Sequence, residues 1–99
     1  MAEEVRRYEL TFILPPALSE EDIQGRQETV RGWIANNAGE IVKESHWGRR
    51  RLAYPIQNYK EGYYILMEFA GPTDGIKDLD RRMRLDTGYL RHLIVRVDE

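Results

Sequence analysis

The sequence contains no cysteine. That excludes a disulfide framework and thiolate metal sites, and it is compatible with a reducing compartment without requiring one. No apolar run approaches the ~20 residues a membrane helix needs. Met1 to Arg7 lacks the apolar stretch of a signal peptide, so a cytoplasmic location is expected. Histidine is scarce, with only two residues, His46 and His92. Neither sign of charge dominates: 15 Lys and Arg stand against 17 Asp and Glu, for a net charge of -2. A protein that coats nucleic acid by bulk charge is thereby excluded, whereas a local basic patch is not. With 99 residues there is chain for one compact domain and no second. What the chain does have is 41% hydrophobic residues, ten aromatic rings and 32% charged residues, the composition of a richly ionic globular protein.

Arg7 to Leu14 alternates, with Tyr8, Leu10, Phe12 and Leu14 on one face and Arg7, Glu9, Thr11 and Ile13 on the other, which predicts a strand. Pro15 and Pro16 stop it because proline has no ladder donor. Ser19 fits a helix N-cap, with Asp22 in a capping-box position and Glu20 and Glu21 in the first turn. Ile23, Val30, Ile34 and Ala38 then recur at helical spacing, predicting a helix over 20–37 that Gly25 and Gly32 each weaken by roughly 1 kcal/mol. Asn37 to Gly39 supplies the stop.

Glu40 to Tyr54 reads as extended chain with a bend or bulge at Gly48. Pro55 to Gly62 reads as a polar connection, and Tyr63 to Phe69 as an apolar strand that closes a long hairpin. Gly71 and Pro72 break that strand, and Thr73 or Asp74 caps a second helix with Ile76, Leu79 and Met83 on its buried stripe. Thr87 and Gly88 end the helix, and Tyr89 to Val97 is the last strand. The order, strand-helix-strand-strand-helix-strand, is the α+β, ferredoxin-like split βαβ plan: a four-stranded antiparallel sheet with two helices on one face. The expected organisation is a flexible N-terminal extension over residues 1–6 and a single domain over 7–97.

A sheet covered on one face only should be polar on the other if the protein works alone. Here Tyr64 and Leu66 oppose the apolar set Tyr63, Ile65, Met67 and Phe69, and the last strand sets Leu90, His92 and Ile94 against Tyr89, Leu93, Val95 and Val97. With Ile13 these residues predict an apolar patch on the open face, the mark of a partner surface.

Little in the sequence suits catalysis. His46 and His92 lie on different predicted strands, with no i, i+4 pair and no neighbouring cysteine to hold a metal. Ser19 and Ser45 occupy no nucleophile elbow, no glycine-rich phosphate loop is present, and the carboxylates crowd the helix surfaces. No cofactor is implied. Cations, by contrast, cluster: Arg6 and Arg7 open the first strand, Arg49, Arg50 and Arg51 follow Gly48, and Arg81, Arg82, Arg84 and Arg91 gather near the second helix and last strand. Twelve of the fifteen are arginine, which forks onto phosphate and stacks on bases. Ordinary surface ion pairs are the plain alternative.

The stretch His46 to Ile56, reading HWGRRRLAYPI, resembles the signature of bacterial small-subunit ribosomal protein number six. So do RRYE at Arg6 to Glu9, GYY at Gly62 to Tyr64, and Arg84-Leu85-Asp86 ahead of a strand ending Val95-Arg96-Val97. The likeness runs from about Arg6 to Val97. It implies a noncatalytic protein that binds the central domain of small-subunit ribosomal RNA as a heterodimer with small-subunit protein number eighteen, with no small-molecule substrate and no membrane. The open sheet face then meets the partner through Tyr64, Leu66, Leu93 and Val95. By position, Arg6, Lys77, Arg84 and Arg91 are the implied RNA contacts. Arg49, Arg50 and Arg51 rank behind them, because part of that run could pair with acids or face the partner. Two departures stand out: Met1 to Val5 precedes the family's usual start, bringing Glu3 and Glu4 near Arg6 and Arg7, and the sequence ends at Glu99 without the charged tail of some members.

Two rival readings make distinct demands. An independent RNA-recognition module, loosely suggested by Lys60 to Leu66, would need a second stacking aromatic on the first strand beside Tyr64, where the sequence offers Arg7, Glu9, Thr11 and Ile13. An acylphosphatase-like enzyme would need an anion-cradling loop with arginine after the first strand, where the sequence has Pro15-Pro16-Ala17-Leu18.

Overall fold

A computed structural model describes residues 5–97. The elements run β1 (Val5–Leu14), α1 (Glu20–Asn36), β2 (Glu40–Ile56), β3 (Tyr59–Pro72), α2 (Gly75–Leu85) and β4 (Arg91–Arg96). The sheet is antiparallel in the order β2-β3-β1-β4, as the split βαβ plan requires. β1 starts two residues before the alternation predicts, pairing Val5 with Pro72 and Arg6 with Gly71. Residues 5 and 6 of the expected extension are therefore strand, and residues 1–4 lie outside the described residues.

The even positions of β1 supply one wall of the core. Tyr8, Leu10, Phe12 and Leu14 pack with Ile65, Met67 and Phe69 of β3 beneath Ile23, Val30 and Ile34 of α1 and Leu79 and Met83 of α2. The Asp22 amide donates to the Ser19 Oγ at 3.1 Å, so Ser19 is the cap of α1. Ala38 does not continue the buried stripe. It lies beyond the helix with φ +61° and turns the chain, while Gln27 takes a buried place on the stripe. Gln27 keeps that place by donating to Glu44 of β2 at 2.6 Å. Arg31 grips the same carboxylate through Nε at 2.8 Å and Nη2 at 2.9 Å. That hydrogen-bonded guanidinium, more than any other cause, holds Glu44 below the usual carboxylate range. The network ties α1 to the sheet edge. Asp74 begins α2 without a side-chain capping bond.

Three departures from the sequence reading concern the hairpin and the last strand. The connection expected over 55–62 is only Gln57-Asn58, both at positive φ (49° and 71°), which makes a two-residue turn whose twist matches the flanking strands. Both strands are accordingly longer than their apolar runs. The last strand begins at Arg91, not Tyr89, and the irregular residues before it reverse the expected faces. Tyr89 turns to the helix layer, edge-on to Phe12 with centroids 5.5 Å apart, and its hydroxyl donates to the Arg26 carbonyl at 2.9 Å. Leu90 goes to the opposite side, against Ile13 and Leu52.

Candidate protein and nucleic-acid interfaces

The open sheet face is built by register. Thr11 lies between Leu66 of β3 and Leu93 of β4, Glu9 between Glu68 and Val95, and Ile13 between Tyr64 and Arg91. Leu93 is 59% exposed and Val95 44%. Leu66 is half-buried. Ile13, expected in the exposed patch, is covered instead: with Leu52 and Leu90 it forms a small second cluster, with Ile56 and Tyr64 packed against it. A depression of about 240 Å³ lined by Thr11, Ile13, Tyr64, Arg91, His92 and Leu93 marks where the covered and uncovered parts meet.

Gly48 provides the fold of chain that closes one end of this face. Its φ of +81° is a left-handed conformation that other residues rarely adopt, and a register shift falls there between His46 and Gly48. The extra residue, Trp47, stacks on Tyr64 with centroids 6.4 Å apart and planes at 15°. Arg50 then lies over the Trp47 ring at 5.6 Å, and Arg91 lies over Tyr54 at 5.9 Å while donating to its hydroxyl. Trp47 enters the sequence reading only as part of the HWGRRRLAYPI stretch, with no contact expected of it. A bulge at a glycine inside a strand was the available signal.

The cations named in the sequence divide between the two sides of the molecule. Arg91 is on the open face, opposite Ile13. Arg6 shares the parity of Tyr8 and so sits toward the helix layer, opposite Gly71 and only partly exposed. Lys77 and Arg84 are exposed on α2. Arg84 donates to Asp80 at 3.0 Å, a carboxylate that also meets His92 Nε2 at 2.7 Å. Thus Arg6, Lys77, Arg84 and Arg91 do not converge on one patch. Strand alternation also separates the arginine run: Arg50 goes over Trp47, while Arg49 lines a cleft with Pro16, Ala17, Asn58, Tyr59, Lys60 and Glu61.

The two histidines stand at opposite edges of the sheet, His46 with its Nδ1 2.9 Å from the Tyr63 hydroxyl and His92 against Asp80. Among the described residues no group of three His, Cys, Asp or Glu is placed to hold a metal. No helix among them is long and apolar enough to cross a membrane. The odd face of β1 presents Arg7, Glu9, Thr11 and Ile13 beside β3 and β4, with no second ring to stack a base beside Tyr64. The demand that an independent RNA-recognition module makes of the first strand is therefore not met by β1.

Comparison with known proteins gives a consistent result. The profile of the family described as Ribosomal protein S6 matches residues 7–96. Small ribosomal subunit protein bS6 of Caldanaerobacter subterraneus is 43% identical over 95 residues, covering 96% of this chain and all of that protein. The bS6 protein of Clostridium botulinum is 42% identical over 91 residues, covering 92% of this chain and 97% of that one. The crystal structure of 30S ribosomal protein S6 from Thermotoga maritima superposes with a TM-score of 0.87 at 29% identity, over 94% of this chain and 88% of that one.

Proposed function

Since the chain belongs to the ribosomal protein S6 family, a structural family of the small ribosomal subunit and not one of enzymes, we propose that it binds the central domain of small-subunit ribosomal RNA as a heterodimer with small-subunit protein number eighteen. In this reading a single domain over residues 7–97 works in the cytoplasm, bound to the ribosome. It needs neither cofactor nor small-molecule substrate.

The observation that carries the reading is the half-covered open sheet face. A satellite cluster of its own residues seals one end, while Leu93 and Val95 stay exposed beside the half-buried Leu66 at the other. An exposed apolar area in which Thr11 lies between Leu66 and Leu93, bordered by Arg91, Glu9 and Glu68, suits a protein partner better than RNA, which offers such side chains few apolar contacts. Tyr64, Leu66, Leu93 and Val95 are assigned to that partner. Arg6, Lys77 and Arg84, away from the open face, and the arginine run from Arg49 to Arg51 are assigned to RNA phosphate. Arg91 stands at the border of the two.

Phosphate contacts give a salt-sensitive share of affinity, and a chain of net charge -2 adds no bulk electrostatic attraction to them. The composite surface of two proteins recognises folded RNA by shape. The test is co-sedimentation with small ribosomal subunits at graded salt, together with binding of a central-domain transcript by this protein with and without protein eighteen. Binding should be weak for the protein alone and strong for the pair. Tight, salt-insensitive binding by the protein alone, or recovery only in the free fraction at low salt, overturns the reading.

A further inference from the structure

From the cleft at the end of the β2–β3 hairpin we infer a second RNA contact, in which Arg49 and Lys60 hold a backbone phosphate and the Tyr59 ring stacks an unpaired base. The inference rests on the RNA-binding reading above and specifies which surface performs it. Three observations carry it.

The first is charge. Between residues 49 and 61 the chain holds Arg49, Arg50, Arg51 and Lys60 against Glu61 alone, a local net charge of +3 that leaves -5 for the remainder. The hairpin end is thus a positive region on a protein of negative net charge. Such a region orients a polyanion toward the end of the molecule.

The second is availability. Arg26, Arg31, Arg82 and Arg84 are engaged with Asp86, Glu44, Asp78 and Asp80. Among the described residues Arg49 and Lys60 are exposed and have no ion-pair or hydrogen-bond partner. A phosphate there displaces no existing carboxylate, whereas at Arg84 it must compete with Asp80.

The third is shape. Arg49, Lys60 and the half-exposed Tyr59 line one open cleft of about 370 Å³ together with Asn58, Glu61 and Pro16 and Ala17 of the β1–α1 connection. That connection has no cation of its own, and the hairpin brings two to it. An aromatic face next to paired cations is the arrangement that binds single-stranded nucleic acid without reading its sequence. Arg49, opposite Tyr63, faces the helix side of the hairpin, while Arg50 lies over Trp47 on the open face.

An acidic protein segment is the other polyanion that could use these cations, but it would leave the Tyr59 face without a stacking partner. The experiment compares wild type, Arg49→Ala/Lys60→Ala and Tyr59→Leu, each combined with protein eighteen. Central-domain transcript binding is measured from low to physiological salt, and heterodimer affinity is measured separately. The double variant is expected to weaken RNA binding about 10-fold and to flatten the salt slope by roughly 0.7, the value for one lost single-strand phosphate contact. Tyr59→Leu is expected to weaken binding about 5-fold with the slope unchanged. Heterodimer affinity should not move.

Unchanged RNA binding by both variants overturns the inference while leaving the broader reading intact. Loss of heterodimer affinity with RNA binding by the assembled pair retained reassigns the cleft to protein. Failure of the wild-type pair to bind RNA overturns both. Lys60→Glu, an exposed charge reversal, provides a second variant should the double substitution disturb folding, and it must weaken RNA binding more than 10-fold.

Discussion

Replacing Leu93 with alanine separates docking from folding at one residue. Burying a whole leucine side chain is worth about 1.5–3 kcal/mol. Leu93 is 59% exposed in the isolated protein, so about 1–2 kcal/mol remains to be gained when a partner covers it. Alanine keeps the first methyl, which leaves a loss of about 1–1.5 kcal/mol, roughly 5- to 12-fold in Kd. Folding should barely register the change. The side chain faces Thr11 on the open surface, with solvent over most of it, and surface changes of this kind stay within about 0.5 kcal/mol. For a domain of this size that is a shift in Tm below about 4 °C.

Calorimetric titration of protein eighteen into wild type and Leu93→Ala measures the first quantity, and thermal unfolding of each variant alone measures the second. Leu79→Ala is the contrasting control. Its side chain is 1% exposed in the main core, so the same substitution should cost about 2–5 kcal/mol of stability. Unchanged partner affinity in Leu93→Ala would refute the docking assignment of the open face. A fall in Tm comparable to that of Leu79→Ala would show that the face is sealed in the free protein, and the partition drawn between its two ends would fail.

Gly62→Ala should lower stability by about 1–3 kcal/mol through overpacking. A Cβ there would collide with Ile13 Cγ2, while Leu52 Cδ2 at 3.5 Å is in ordinary contact, and thermal unfolding reports the cost. Acid titration should single out Glu44. Its carboxyl is lowered first by the Arg31 hydrogen bond, so the stability it contributes is fully present above pH 4.5 and is lost as the pH falls through its lower folded value. The gap in stability between wild type and Glu44→Gln at neutral pH should therefore close in acid, and a gap independent of pH would refute the assignment. In base, burial pushes the Tyr89 hydroxyl up to about 12 from 10, so its contribution is complete below pH 10 and is lost as the pH rises toward 12. Tyr89→Phe should remove that part of the alkaline destabilisation in pH-dependent denaturant unfolding.

The regular parts of the fold were legible because each rests on a local pattern. Alternation from Tyr8 to Leu14 marked the inner face of β1, and Ser19 marked the start of α1 through the cap that the structure contains. The misreadings occur where a long-range pairing overrides local composition. Pro55, Ile56, Tyr59 and Lys60 look like loop in isolation, yet the Ile56–Tyr59 pairing across a two-residue turn makes them strand. Tyr89 and Leu90 were set on the wrong faces because alternation was extended back through residues that precede β4. The pull of the Arg26 carbonyl on the Tyr89 hydroxyl cannot be read from neighbours in sequence. For the interfaces, the residue types were visible but their grouping was not. Three consecutive arginines look like one patch until alternation sends Arg50 over Trp47 and Arg49 to the cleft with Lys60.

That separation has a consequence for how so small a protein serves two partners. A two-layer fold has one uncovered sheet face, and exposing all of it as apolar surface would invite self-association. Here the chain covers part of the face itself. Gly48 bulges β2 so that Trp47 lies on Tyr64, and Leu52 closes over Ile13 and Leu90. The remainder, centred on Leu66, Leu93 and Val95, is small enough to leave open in the free protein. Past the same bend Arg49, opposite Tyr63, turns away from that face to line the cleft at the β1–α1 connection. One backbone irregularity thus limits the apolar surface and also sets a cation, Arg49, on its far side. Straightening it should therefore impair both interfaces together. Gly48→Val, strained at φ +81°, is expected to weaken partner and RNA binding in parallel. Leu93→Ala and Lys60→Ala should each impair only one, and a Gly48→Val variant that loses one interface alone would break the proposed link between them.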